Sequence, residues 1–551
     1  MARFNQRVVR PRATGPATTT GPATTYEGGA AFTRDPLSEL VLLAVVNMVG
    51  NDTFYESADD RDNRFARLCR EAALTDPTNY LAFLRWLRGE ANMRTASLVA
   101  AAEGTKARLD AEADPFPYPI TGDSQADRIE QKLSGPRSFV DAVLQRPDEP
   151  GEFIGYWFAT YGRNLPMPVK RGLADAAARL YNERSLLKYD TEKHDIRFGD
   201  VLELAHVKAK APWQGDLFTY ALHRRPRATG KHPEQVPESL TVIQNQRLFR
   251  AEVDRHPEWL YDPERLRAAG LTWEDALSLS GNVSADKRKV WEAMIPNMGI
   301  MALLRNLRNF DEAGVSDKAA QLVISKFQDP EQIAKSRQFP YRFLSAYRAA
   351  PSLRWSYALE RALDASLVNV PRFRGRSLVM VDTSASMRGT VSDKSQVTHV
   401  DVGALVGVTL AHRSEGSADL IGFADGAFGF NVTKGGSVLP DVKQFIGQVG
   451  RVGHGTNTIG ALRATFSGHD RVVIVHDGQF GNFHRDFMTM STVVPKDVPM
   501  FSIDTTGYAA APLDTSAPNR YEVGGFSDKL FTMIKMLDGG HSVRWPWEPT
   551  K

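Results

Sequence analysis

The residues best suited to do chemistry form a short run of oxygen donors, Asp382-Thr383-Ser384-Ala385-Ser386, directly after the apolar run 377–381. One carboxylate and two hydroxyls on a single tight loop present hard ligands to one point. Such a set suits Mg²⁺ or Mn²⁺, and its low charge leaves coordination positions to water. Two later segments can complete it. One is the glycine-rich stretch Gly453-His454-Gly455-Thr456-Asn457-Thr458; the other is His476-Asp477-Gly478, which follows the apolar run 471–475. The candidate metal ligands are therefore Asp382, Ser384, Ser386, Thr456 and Asp477, holding one divalent cation. A lone Asp or Ser behind a strand is more often a helix cap; three such pieces, each at a strand end, favour a metal. His454 and His476 read as loop and strand-end residues with local hydrogen bonds. The set has no placed general base, and the chain has no G-x-S-x-G elbow and no phosphate-binding G-x-x-x-x-G-K-[ST] loop. The expectation is a binding site and no enzyme.

These residues must be positioned by the elements around them. After Pro371 short apolar runs (377–381, 418–423, 471–475, 498–503) alternate with helical ones (400–412, 442–448, 459–466). That alternation predicts a parallel, doubly wound α/β sheet of Rossmann-like type, with helices on both faces. In such sheets ligands bind beyond the carboxyl ends of the strands, at a switch in strand order. The oxygen donors lie there, in the arrangement of a metal-ion-dependent adhesion site, which makes 371–545 similar to a von Willebrand A domain.

Upstream the period is helical. Asp35-Pro36, Asp76-Pro77, Asp262-Pro263 and Asp329-Pro330 each open an apolar-periodic run; Asp caps a helix and Pro suits its first turn. Many helices without a strict repeat length predict an all-α, HEAT-like solenoid over 31–370. Residues 1–30, rich in Thr, Pro and Gly, read as a flexible tail. A chain of 551 residues with one cysteine, Cys69, excludes a disulfide scaffold and fits a reducing cytoplasm. Neither a signal-peptide pattern nor an apolar run long enough to cross a bilayer is present, so no membrane association is expected. The net charge is only +3, so any nucleic-acid site must be a local patch.

Such a patch is visible. Arg163, Lys170, Arg171, Arg179, Arg184 and Lys188 face only Asp175 and Glu183 in the same stretch, and Arg197, His206, Lys208 and Lys210 follow. Tyr181, Tyr189, Phe198 and Trp213 lie nearby and could stack bases. The bland alternative is a solvated helix face over core aromatics.

Around this patch the chain resembles the Ro autoantigen family and its TROVE domain. The resemblance rests on Asn51-Asp52-Thr53-Phe54-Tyr55, Leu165-Pro166 leading to Lys170-Arg171-Gly172-Leu173, Lys188-Tyr189, Leu204 to Lys208, Met301 to Asn309 and Phe339-Pro340-Tyr341-Arg342, and on the order of the two domains. It implies a ring of helical repeats that binds single-stranded 3′ ends of misfolded or structured noncoding RNAs. It further implies Y-like RNAs on an outer surface, an exoribonuclease such as polynucleotide phosphorylase as partner, and a role in RNA quality control or decay. The RNA-binding residues it points to are Lys170, Arg171, Arg179, Lys188, Arg197, His206, Lys208 and Lys210. The family's Gly-Trp-Ser-His-Lys-Asp segment reads Asp195 to Asp200 here and keeps only Asp200. The competing reading is a metal-dependent protein-interaction adaptor working through the second domain.

Overall fold

The computed structural model describes residues 19–25, 30–46, 56–113, 134–225, 236–350, 352–367, 370, 372–391, 395–479, 490–515, 517, 519–524 and five positions beyond 530. The Asn51–Tyr55 motif lies outside these residues. The chain divides into two compact units, one made of 69–366 and the other of 1–68 with 367–551.

The first unit is helical throughout its described residues. The Asp-Pro rule holds at all four positions. The Asp35 carboxylate accepts from the Ser38 amide at 3.2 Å, Asp76 from Asn79 at 2.9 Å, Asp262 from Glu264 at 2.9 Å and Asp329 from Glu331 at 2.9 Å. Each bond satisfies a backbone donor that the first helical turn leaves free. The helices bury one apolar stripe each, with Phe83, Phe139, Trp157, Phe310 and Trp355 nearly inaccessible to solvent. The helical array also closes on itself. The Asn92 side-chain amide donates to the Arg337 carbonyl at 3.0 Å, and the Arg337 guanidinium donates to the Gly89 carbonyl at 3.1 Å. Residues about 245 apart in sequence thus meet.

The second unit is α/β. Its strands are β1 (Thr19–Thr24), β2 (Ala30–Arg34), β3 (Arg376–Asp382), β4 (Ser417–Phe423), β5 (Ala427–Phe430), β6 (Arg471–His476), β7 (Met500–Asp504), β8 (Ala510–Ala511) and β9 (Arg520–Gly524). A six-stranded sheet runs β5-β4-β3-β6-β7-β9, parallel except for the edge strand β5. Strands β3 and β6 are inaccessible along almost their whole length, as the continuous apolar runs predict. The chain leaves β3 to one side for β4 and returns on its other side as β6. The switch in strand order therefore falls between β3 and β6, whose ends carry Asp382 and His476-Asp477.

The N-terminal boundary differs from the sequence expectation of a tail over 1–30 and a helical domain from 31. Residues 19–24 form a strand paired with β2, which in turn pairs with β8. The reason is electrostatic as well as apolar. Arg34 is buried and donates to Glu522 at 2.7 Å and to Asp504 at 3.3 Å, and it also reaches the Tyr508 carbonyl. A guanidinium held this way cannot leave without stranding two buried carboxylates. The helix Pro36–Val46 follows, with eight buried residues. Composition at 13–24 gave no hint of this, because contacts that anchor the hairpin, such as Thr19 to Asp514, lie almost 500 residues away.

Candidate functional sites

The oxygen donors of the second unit meet at the switch point. The Asp382 Oδ1 atom accepts from the Ser384 amide at 2.8 Å, and the Ser384 and Ser386 hydroxyls lie 3.2 Å apart. Asp382, Ser384, Ser386 and Asp477 are all buried. Asp477 is hydrogen-bonded by Ser386 and accepts from the Gln479 amide at 3.2 Å. The Thr456 loop is pinned alongside: the Ala385 amide donates to the His454 carbonyl at 2.9 Å and the Asn457 amide to the Ala424 carbonyl at 2.8 Å. Gly453 has φ +92°, and a side chain there would strike the Asp425 carboxylate that accepts from the His454 amide.

The electrostatics are unusual. The Asp382 Oδ2 and Asp477 Oδ2 atoms are buried without a hydrogen-bond partner. Burial first, and then the charge of Asp477, push the Asp382 carboxyl well above its ordinary range. Burial raises Asp477 to about 6. Two carboxylates out of water with a free oxygen each are costly unless something cationic joins them. Among the described residues no cluster of three or more Asp, Glu, His or Cys surrounds them. The two histidines behave as local structure. His476 Nε2 bonds the Ser502 hydroxyl at 2.6 Å while its Nδ1 accepts from the Gly478 amide at 2.7 Å; His454 Nδ1 faces Arg388 at 3.2 Å.

The cations of the helical unit divide into three sets. Arg197 is a core residue: it is buried, bonds Asp190 at 2.7 Å and donates to the Arg224 carbonyl at 2.9 Å. Arg179 bonds Asp141 at 2.7 Å and the Leu144 carbonyl. Neither is free for a ligand, contrary to the expectation from sequence. Lys170, Arg171, His206, Lys208 and Lys210 are half-buried to exposed, and among the described residues none forms an ion pair with a carboxylate. Trp213 is exposed beside Lys208 and Lys210 in sequence.

The third set lines a cavity of about 1030 Å³. Arg146, Arg184, Lys188, Arg267 and Arg305 surround it, against Glu264 and Glu274. Tyr189, Trp273, Met294, Met298 and Met301 supply apolar surface. Lys188 stands 5.0 Å and Arg146 5.5 Å from the centroid of the Tyr189 ring. Of these cations, the patch read from sequence contains Arg184 and Lys188, which share one short helix. Arg146, Arg267 and Arg305 come from segments far apart in the chain, and no local spacing signals them. Tyr181 and Phe198, the expected stacking residues, instead stack on each other in the core with centroids 3.8 Å apart.

One comparison with known proteins falls on the same region. The TROVE domain family matches residues 266–357, which include Arg267, Trp273, Met301 and Arg305 of the cavity wall. Telomerase protein component 1 from Mus musculus is 43% identical over 84 residues, and that from Rattus norvegicus 44% over 78. The matches cover 15% and 14% of this chain and only 3% of each relative. The fold is similar to that in the crystal structure of Deinococcus radiodurans RO (RSR) protein, with a TM-score of 0.57 over 92% of this chain and 100% of that one, at 17% identity. Residues 266–357 are thus similar to a TROVE domain, and the fold is similar to that of the solved Ro protein. The TROVE match covers the last third of the helical unit, and the helical-then-α/β order agrees with the expected fold class. No helix among the described residues is long and apolar enough to cross a membrane.

Proposed function

We propose that this Ro-type chain binds RNA by admitting a single strand to the cation-lined cavity of its TROVE unit. The observation that carries this is the pairing of five cations with an apolar floor of Tyr189, Trp273 and three methionines, overlapping the TROVE match. Cations take phosphates and release counterions; aromatic and thioether surface takes bases without regard to sequence. A duplex hides its bases from such a floor, so a free 3′ end of a misfolded or structured noncoding RNA is the ligand that fits. Handing such ends to an exoribonuclease is the quality-control role the family resemblance implies. The exposed cations Lys170, Arg171, Lys208 and Lys210 offer a second, outer contact for the structured part of the same RNA, a Y-like RNA included. The test is an anisotropy titration with a stem bearing a 3′ overhang, a blunt stem and a stem with a 5′ overhang. The 3′ overhang should bind best; equal binding of the blunt stem would reject the reading.

A second reading concerns the α/β unit, favoured by the two unpartnered buried carboxylate oxygens. Asp382, Ser384, Ser386, Thr456 and Asp477 would hold one Mg²⁺ or Mn²⁺ in the manner of a von Willebrand A domain. The cation would neutralise the two carboxylates and offer an open position to an acidic group of a protein partner. The chain's own residues then orient that partner, and no bond is broken.

A further inference from the structure

A second, smaller pocket lies beside the cavity and shares Tyr189 with it. Its volume is about 170 Å³, the scale of one planar ring rather than of the roughly 300–1,000 Å³ usual for larger ligands. It is lined by Asp148, Gly155, Tyr181, Tyr189 and the 194–198 segment. Two polar atoms in this lining are buried without a hydrogen-bond partner, the Tyr181 hydroxyl and Asp148 Oδ1. Such orphans are rare and need a reason. Both are held rigidly. Tyr181 is fixed by its stack on Phe198. Asp148 is fixed through its other oxygen, which accepts from Arg94 at 2.8 Å and from Arg146 at 2.9 Å. Arg146 in turn lies over the Tyr189 ring and faces the large cavity. The cavity side of Tyr189 is richer in cations; the pocket side carries Asp148, Glu152 and Asp195 together with His194 and Arg197, and Arg197 is engaged by Asp190.

We propose that this pocket receives one base turned out of the strand bound in the cavity, and that it selects bases presenting an amino donor beside a ring-nitrogen acceptor, cytosine or adenine. The inference rests on the single-strand reading above. Phosphates stay with the cavity cations, because the pocket's own guanidinium, Arg197, is already engaged by Asp190. The Asp148 carboxylate oxygen, whose partner oxygen holds Arg94 and Arg146, takes the exocyclic N–H; the Tyr181 hydroxyl, kept protonated by burial and by nearby Asp190 and Asp148, donates to the ring nitrogen. Uracil presents the opposite order, a carbonyl beside an N–H, and would set an oxygen against the carboxylate. Gly155 explains how the pocket stays open: a side chain there would meet only empty space.

The experiment compares oligouridine with the same oligomer carrying one cytidine or adenosine at each position in turn, by anisotropy. Wild type should bind the amino-bearing oligomers roughly tenfold more tightly, as one well-made base contact discriminates. Gly155→Phe places a ring at the pocket wall, where a Cβ has open space, and should erase that preference while leaving oligouridine affinity unchanged. Tyr181→Phe, which removes only an unpartnered hydroxyl and should not harm folding, should reduce the preference to a few-fold. Equal binding of all oligomers by wild type, or a preference that survives in Gly155→Phe, overturns the pocket. If no oligomer binds at all, it is the strand reading that fails. The pocket is then judged with free cytidine and uridine by saturation-transfer NMR, where a cytidine signal lost in Gly155→Phe upholds it and equal signals overturn it.

Discussion

The two units present opposite electrostatics. In the α/β unit negative charge is buried and under-satisfied: Asp382 and Asp477 each keep a free oxygen out of water. In the helical unit positive charge stands at a cavity wall, with Lys188 and Arg305 exposed. A buried pair of carboxylates calls for a small ion that fits inside the protein. An open ring of cations calls for a polyanion that comes to it. On the proposed function, the difference separates a site whose ligand would complete the fold from a site whose ligand would be captured from solution. It also predicts different sensitivities, the first to single substitutions and the second to combined ones and to salt.

The largest effect expected is at Asp382. Asp382→Ala removes one of only two carboxylates, so Mg²⁺ and Mn²⁺ binding by titration calorimetry should vanish while the fold and RNA binding persist. Equal metal binding by wild type and variant would make the D-x-S-x-S loop a helix cap and dissolve the contrast between the units.

Next comes Arg34, which ties the N-terminal strands to the α/β unit. Arg34→Met leaves Glu522 and Asp504 buried without their cation and should cost about 3–5 kcal/mol in denaturant unfolding. A loss below about 1 kcal/mol would return residues 19–46 to the status of an appendage.

The pH dependence of the α/β unit follows from its buried imidazoles. Burial lowers His399 and His476 to about 4. The unfolded chain takes up these protons as pH falls through 6.5, and the folded one does so only near 4. Each histidine therefore contributes stability that is complete above pH 6.5 and is lost between 6.5 and 4, on the order of 3 kcal/mol each. In thermal unfolding across that window, His399→Gln should show a shallower acid-side decline than wild type; parallel profiles would contradict the assignment.

How much of this was legible in the sequence depended on distance along the chain. The meeting of Asp382 and Asp477 was readable because each sits at the end of its own apolar strand and the two strands are neighbours; the Thr456 loop follows no strand. The four Asp-Pro caps were readable for the same reason, since a cap is a contact across three residues. The cavity was not. Lys188, Arg267 and Arg305 come from three separate helices, and only the packing of the helical array makes them neighbours. The linear cluster at 163–210 misled in part: Arg197 and Arg179 were spent on Asp190 and Asp141, which a count of charges cannot reveal. The N-terminal hairpin was invisible, because β8 and Glu522, which hold its second strand, lie at the other end of the chain.

The smallest expected single-site effects, and the most direct test of the central claim, lie with the cavity cations. The measurement is the affinity for a 3′-overhang RNA at several salt concentrations, for wild type and two triple variants. A single strand contributes a log–log slope of about −0.7 per phosphate contact, so three to five contacts give roughly −2 to −3.5. Lys188→Ala, Arg267→Ala and Arg305→Ala together should flatten the slope by about 2 and weaken all sequences alike, because phosphate contacts carry no sequence information. Lys170→Ala, Arg171→Ala and Lys208→Ala together should change binding of the overhang less, and act mainly on the structured part of the RNA. An unchanged slope in the cavity variant, with the loss falling on the outer one, would contradict the account and move the strand out of the cavity.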